Sequence, residues 1–268
     1  MRRALPILFA LAIVAASSNA AASQVAPSTG HATASSGGSK KPRLCPPMPK
    51  VAPSGYKVAV SDDFAGSTLD RHKWFEWTGE PGGDPYGWWS PSQDVVAGEM
   101  IQLRGKSVSR GANPRWTSGG EVTGGIGSVH TQVYGEYEWC MRTSHSLGTK
   151  TAVLLWPQDN KWPPEIDFFE NWGDPLYYCV WLHYGGPTHK IIRRVYYQYS
   201  AQWTVYLAVW RHNNLQVIEN GVRVANITSP HVPNTPMRLD IETMAIQPKA
   251  VVGATVVKWV VEYVPLTG

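Results

Sequence analysis

After residue 55, apolar and polar positions alternate in short runs rather than in helical turns. Segments 57–64, 94–104, 133–142, 151–156, 165–171, 178–184, 203–211, 215–227, 237–243 and 252–263 are rich in Val, Ile, Tyr and Trp, and clusters of Gly, Pro, Asn and Asp separate them. No segment keeps a 3.6-residue apolar period for more than two turns. Asn220-Gly221 falls between two apolar runs and is a strong short-range hairpin signal. Ten or more short strands without an internal repeat predict an all-β domain, a sandwich or jelly roll.

Residues 1–44 follow a different pattern. Arg2 and Arg3 precede an apolar run over 4–16, and Ser18-Asn19-Ala20 closes it as a small-residue cleavage site would. Residues 1–20 therefore read as a secretory signal peptide, because the run is shorter than the roughly 20 apolar residues a membrane span needs. Residues 21–44 are mostly Ala, Ser, Thr, Gly and Pro and read as a flexible linker, too poor in apolar surface to offset the entropy of ordering. Residues 45–268 form the domain. The leader looks bacterial, so the expected location is secreted, or attached to the cell surface or wall.

Charge changes the picture once the leader is set aside. The whole chain carries +4, but residues 1–43 hold five Lys and Arg and no acid, which leaves 19 basic against 20 acidic residues in the rest. A nearly neutral domain lacks the basic patch of a nucleic-acid binder and suits a neutral substrate. Three cysteines, Cys45, Cys140 and Cys179, allow one disulfide after export and leave one thiol over. Cys140 and Cys179 both fall in predicted strands, so that pair is one option; the connectivity is open.

The densest chemistry lies in Trp162-Pro163-Pro164-Glu165-Ile166-Asp167-Phe168-Phe169-Glu170-Asn171-Trp172. Three acids in six residues of an apolar strand are costly to bury without a purpose. Strand alternation puts Glu165 and Asp167 on one face. Glu170 is five residues from Glu165, an odd offset, and one β-bulge near Phe168-Phe169 would return it to the acid face. Two carboxylates about 5–5.5 Å apart serve a retaining glycoside hydrolase as nucleophile and acid/base. A third acid between them would repel both and help keep one protonated. A solvated edge strand and a hard-cation site are the competing readings of the same residues. No G-x-S-x-G elbow is present, and the eight histidines show no zinc-ligand spacing.

The Glu-Ile-Asp-Phe-Phe-Glu run resembles the signature of glycoside hydrolase family 16 in its bulged, laminarinase-like form. Weaker matches follow in order: Ser61-Asp62-Asp63-Phe64 with Lys73-Trp74, Thr117-Ser118-Gly119, Tyr134-Gly135-Glu136-Tyr137-Glu138, and 203–210 before Glu219-Asn220-Gly221. The resemblance implies a concanavalin-like β-sandwich jelly roll with an open substrate cleft. It places Glu165 at the nucleophile, Asp167 at the assisting acid and Glu170 at the acid/base. His183 falls near a cleft histidine, and a satisfied polar core residue is its plainer reading. Trp156 and Trp162 fall near subsite tryptophans. Among the 13 tryptophans, Trp88, Trp89, Trp116 and Trp172 lie beside loops and are sugar-platform candidates, whereas Trp139 and Trp210 sit mid-strand and read as core.

Three positions depart from the family pattern. Pro164 stands where Gly is usual, Cys140 where Arg is frequent, and Lys258 where an acid of the structural calcium site would be. No metal and no cofactor are therefore expected. The expected activity is endo-hydrolysis of a β-linked polysaccharide, β-1,3-glucan or β-1,3/1,4-glucan, with galactans and other wall polymers open and water or sugar as the acceptor. The expected protein is a monomer without nucleic-acid partners. The alternative is a non-catalytic, lectin-like jelly roll.

Overall fold

The computed structural model describes residues 44–82, 84, 86–109, 119–144, 146–174, 176–197, 200–247 and 252–266. The expected signal peptide, all of the linker but Leu44, and Trp116 lie outside them. In chain order the strands are β1 (Tyr56–Asp62), β2 (Trp74–Glu76), β3 (Gly87–Trp89), β4 (Asp94–Val96), β5 (Ile101–Val108), β6 (Gly120–Thr123), β7 (Gly125–Ser128) and β8 (Gly135–Thr143). They continue with β9 (Thr149–Pro157), β10 (Glu165–Asn171), β11 (Tyr177–Tyr184), β12 (Lys190–Tyr197) and β13 (Thr204–Arg211). β14 (Asn214–Glu219), β15 (Val222–Thr228), β16 (Met237–Ala245) and β17 (Ala254–Pro265) complete the set. No α-helix occurs among the described residues, and none of them forms a helix able to cross a membrane.

The strands make two sheets. The ten-stranded sheet runs β15-β14-β13-β8-β17-β5-β6-β3, with β1 paired to β17 and β4 to β5. The seven-stranded sheet runs β12-β11-β10-β9-β16-β7-β2. Period-two alternation sends one set of side chains from each sheet into a shared core. Tyr137, Trp139, Met141, Tyr206, Ala208 and Trp210 come from the large sheet; Val153, Leu155, Ile166, Phe168, Leu239 and Ile241 come from the small one. Trp139 and Trp210 are wholly buried, as their mid-strand positions implied. Thus the all-β sandwich expected from the alternation is the architecture found.

The differences from the sequence reading have local causes. Segment 94–104 is two strands, β4 and β5, because the chain turns back on itself at 97–100 and pairs Val96 with Ile101. β2, β3, β6, β7 and β12 were not foreseen. β7 reads as a breaker by its glycines, yet Gly127 is a strand residue because the Phe75 ring and the Asp240 carboxylate occupy the space a Cβ would need.

The disulfide joins Cys45 to Cys140, with Cα atoms 6.0 Å apart. The Cys140–Cys179 option is not the one formed: Cys140 faces outward from β8 of the large sheet, beside Trp259 and Val261, whereas Cys179 lies opposite Glu170 on the outer face of the small one. Cys179 is a buried free thiol. The disulfide clips the segment before β1 onto the outer face of the large sheet, where Cys45, Met48, Ala52 and Tyr56 pack against Trp259, Val261 and Tyr263.

Candidate active site

The outer face of the small sheet is the counterpart of that clipped face, and it carries the acids. On β10 the register against β9 shifts between Asp167 and Phe169, and against β11 between Asp167 and Glu170. The bulge turns two consecutive phenylalanines, Phe168 and Phe169, into the core, both fully buried. Burying each contributes about 1.5–3 kcal/mol, which offsets the lost ladder bonds of a bulge. As a result Glu170 rejoins Glu165 and Asp167 on the outer face. Asp167 and Glu170 are buried, and Glu165 is partly exposed.

Neighbouring strands supply the partners. β11 places His183 opposite Glu165, with Nε2 3.2 Å from Asp167 Oδ2. His183 Nδ1 shares a hydrogen with His189 Nε2 at 2.9 Å, and the two rings stack 5.2 Å apart at 7°. Trp162, in the loop before β10, donates its Nε1–H to Glu165 Oε2 at 2.6 Å and lies 4.4 Å from the His189 ring. β9 lays Lys150, Ala152, Leu154 and Trp156 along the same face, and β16 adds Arg238 opposite Trp156, Asp240 opposite Leu154 and Glu242 opposite Ala152. Lys150 Nζ bridges Asp84 Oδ2 at 2.7 Å and Glu170 Oε1 at 3.1 Å.

This crowding raises proton affinities. Burial, then the charge of Asp167, pushes Glu165 up to about 8, against the pull of His183 and of the Trp162 hydrogen bond. Burial and the charge of Glu170 hold the Asp167 carboxyl well above the usual carboxylate range. Burial also lowers the proton affinity of His183, against the opposing pull of Glu165 and Glu170. Such an array can hold protons at neutral pH, release one locally and offer carboxylates to a bound electrophile. Glu165, Asp167 and His183 also bring ligand atoms within 4.8 Å of one another, a donor set a cation could use.

The aromatic candidates divide. Trp162 and Trp172 are 45% and 42% exposed and flank the acids, and Lys150 Nζ lies 5.7 Å from the Trp172 ring. Trp156 is partly buried in a satellite cluster with Trp77, Trp89, Leu154 and Met244. Trp88 is exposed, but Trp89 is buried against Trp77, which removes it as a sugar platform. A separate depression of about 540 Å³, walled by Pro157, Pro163, Pro164 and Pro236, holds none of the three acids.

Sequence reasoning missed Lys150, Asp84, His189, Arg238, Asp240 and Glu242. The last three carried a signal: in segment 237–243 charged residues alternate with Met237, Leu239 and Ile241, the same pattern that singled out β10. Asp84 and Lys150 lie 66 positions apart in the chain, and no motif links them.

The family model described as glycosyl hydrolases family 16 matches residues 89–261. No curated protein matches the chain in sequence. Among solved structures, the endo-β-1,3-glucanase of Pyrococcus furiosus superposes with a TM-score of 0.66 at 15% identity, over 80% of this chain and 96% of that one. The laminarinase catalytic domain of Thermotoga maritima MSB8 gives 0.64 at 14%, over 79% and 99%. A Bacteroides ovatus family 16 protein from a mixed-linkage glucan locus, in complex with a G4G4G3G product, gives 0.63 at 16%, over 76% and 99%. At these identities the likeness is one of fold.

Proposed function

The chain belongs to glycosyl hydrolases family 16, and from that premise we propose that it is a retaining endo-hydrolase of a β-glucan, with Glu165 as nucleophile and Glu170 as acid/base. The observation that carries the reading is the bulge at Phe168-Phe169, which lines three acids along one outer face of the small sheet. In the first step the Glu165 carboxylate attacks the anomeric carbon while Glu170 gives its proton to the departing glycosidic oxygen, leaving a glycosyl–enzyme ester. In the second, Glu170 takes a proton from water as that water attacks the anomeric carbon, breaking its bond to Glu165 and releasing the carboxylate. Burial holds protons on both Glu165 and Asp167 above the usual carboxylate range, and Glu165 gives its proton up before it attacks. Trp162 steadies the resulting carboxylate with its 2.6 Å hydrogen bond.

The substrate class proposed is β-1,3-glucan or β-1,3/1,4-glucan, supported by the glucanase neighbours in fold. Trp162, Trp172 and Trp156 are the proposed sugar contacts, with His183 beneath; Trp116 stays a candidate on sequence alone. The protein is proposed to act outside the cell, on the strength of its leader, and as a monomer. The test is reducing-end release from laminarin, lichenan, agarose, xyloglucan and galactan, with Glu165→Gln and Glu170→Gln in parallel. Release on one glucan, lost in both variants, supports the reading. Undiminished release by either variant would remove its mechanism, and binding without release would make the protein a lectin-like module.

A further inference from the structure

Lys150 has no place in the mechanism above, yet it is the one cation in direct contact with the proposed acid/base among the described residues. Its side chain is only 12% exposed and is held between two carboxylates, Asp84 Oδ2 at 2.7 Å and Glu170 Oε1 at 3.1 Å. Trp172 lies alongside it. Burial alone would lower the Lys150 pKa, but the charges of Glu170 and Asp84 overcome it and hold the group well above the usual lysine range. Burial pushes Asp84 above the usual carboxylate range, and Lys150 pulls it back in part.

This geometry poses a problem for an acid. A group that must deliver a proton is poorly served by an ammonium at hydrogen-bond distance, since opposite charge favours the carboxylate. Asp84 relieves it. One ammonium shared by two carboxylates satisfies one of them fully and leaves the other free to hold a proton, and Asp84 has the shorter contact.

We propose that Lys150 is a positioning residue that aims the Glu170 carboxyl and sets its proton affinity, and that Asp84 is the counter-charge that loosens this grip. The proposal rests on reading Glu170 as the acid/base. The other groups facing Glu170 are Asp167 and Glu165 on β10, and Cys179, directly opposite, and His183 on β11. From β16, Glu242 stands level with Ala152, the β9 partner of Glu170. Only Lys150 is a permanent cation in this set, so its removal and that of Asp84 act on Glu170 with opposite sign.

The experiment is a carbon-13 titration of glutamate carboxyls in the purified protein, with the Glu170 signal identified by its loss in Glu170→Gln. In Lys150→Met the Glu170 midpoint moves up by about one pH unit or more, in Asp84→Asn it moves down, and in Lys150→Arg it stays near the parent value. Midpoints that stay put in both Lys150→Met and Asp84→Asn, or that move in the same direction, overturn the proposal. Should Lys150→Met fail to fold, the downward shift in Asp84→Asn and the constancy in Lys150→Arg decide the matter. A Glu170→Gln variant with full glucanase activity would instead sink the acid/base reading, whatever the titration shows.

Discussion

On the outer face of the ten-stranded sheet, polar groups find partners. The Trp259 indole donates to Pro46 O at 2.8 Å, the Tyr263 hydroxyl to Glu138 Oε2 at 3.0 Å, and the Cys45–Cys140 disulfide fastens the covering segment. The outer face of the seven-stranded sheet has the same alternation and comparable aromatic content, but its polar groups compete. Both Asp240 oxygens and Trp181 Nε1 are buried without a hydrogen-bond partner among the described residues. Arg238 Nε is 3.4 Å from Asp240 Oδ1, and Lys150 is divided between two acids. Leaving a buried polar group unpaired costs about 1–3 kcal/mol, so one face adds stability and the other spends it. The contrast is what a site placed on a rigid scaffold would show: reactivity needs poorly satisfied charges, and the opposite sheet supplies the stability that tolerates them.

The largest effect that would sharpen this contrast is expected from Glu165→Gln. Turnover should fall by at least about a thousand-fold, while the thermal midpoint holds or rises because the cost of ionising a buried carboxyl has gone. A calorimetric midpoint well below the parent would break the comparison, since it would make Glu165 a structural residue. Next comes the opposite face. Cys45→Ser opens a loop with a sequence separation of 95 and should cost about 2–4 kcal/mol in urea unfolding, with turnover at 25 °C unchanged.

A third, smaller effect is expected from pH. Glu165, Asp94 and Glu262 are pushed up to about 8, and Glu121 to about 7, in each case chiefly by burial. A raised carboxyl pKa means that the folded chain keeps protons the unfolded chain has released. That stability is complete below the unfolded values near 4–4.5 and is lost as pH rises through 7 to 8. The thermal midpoint should therefore drop between pH 5 and pH 8, on the order of 5 °C, and less steeply in Glu165→Gln. A midpoint that climbs over that interval would refute the assignment of these protons. The smallest effect belongs to Asp240→Asn, which removes a poorly satisfied buried charge and should stabilise by up to about 1 kcal/mol in the same urea assay.

How much of this was legible in the chain depends on distance along it. β10 was readable to the residue because its acids, its apolar partners and the odd offset that demands a bulge all lie within seven positions. The β14–β15 hairpin announced itself through Asn220-Gly221 for the same reason. β12 was missed because Arg193 and Arg194 interrupt its apolar run, although Arg193 is housed over the Trp181 ring at 4.9 Å. The Cys45–Cys140 bond and the Asp84–Lys150–Glu170 chain were hidden because each joins residues that only the sheet order brings together. Charged residues on β16 were visible but unweighted, since a lone alternating strand does not reveal which of its faces meets a site.

The bulge in β10 also bears on how this chain could vary in length. In a regular strand, losing one residue sends every later side chain to the opposite face. At Phe168-Phe169 two neighbours already point inward, so deletion of either would leave Glu165, Asp167 and Glu170 outward and the core still apolar. What would change is the local twist that the extra residue imposes, and with it the direction in which Glu170 leans. Chain length at this point is thus a setting for aim rather than for membership of a face, and a single-residue deletion could retune the site without exchanging inside for outside.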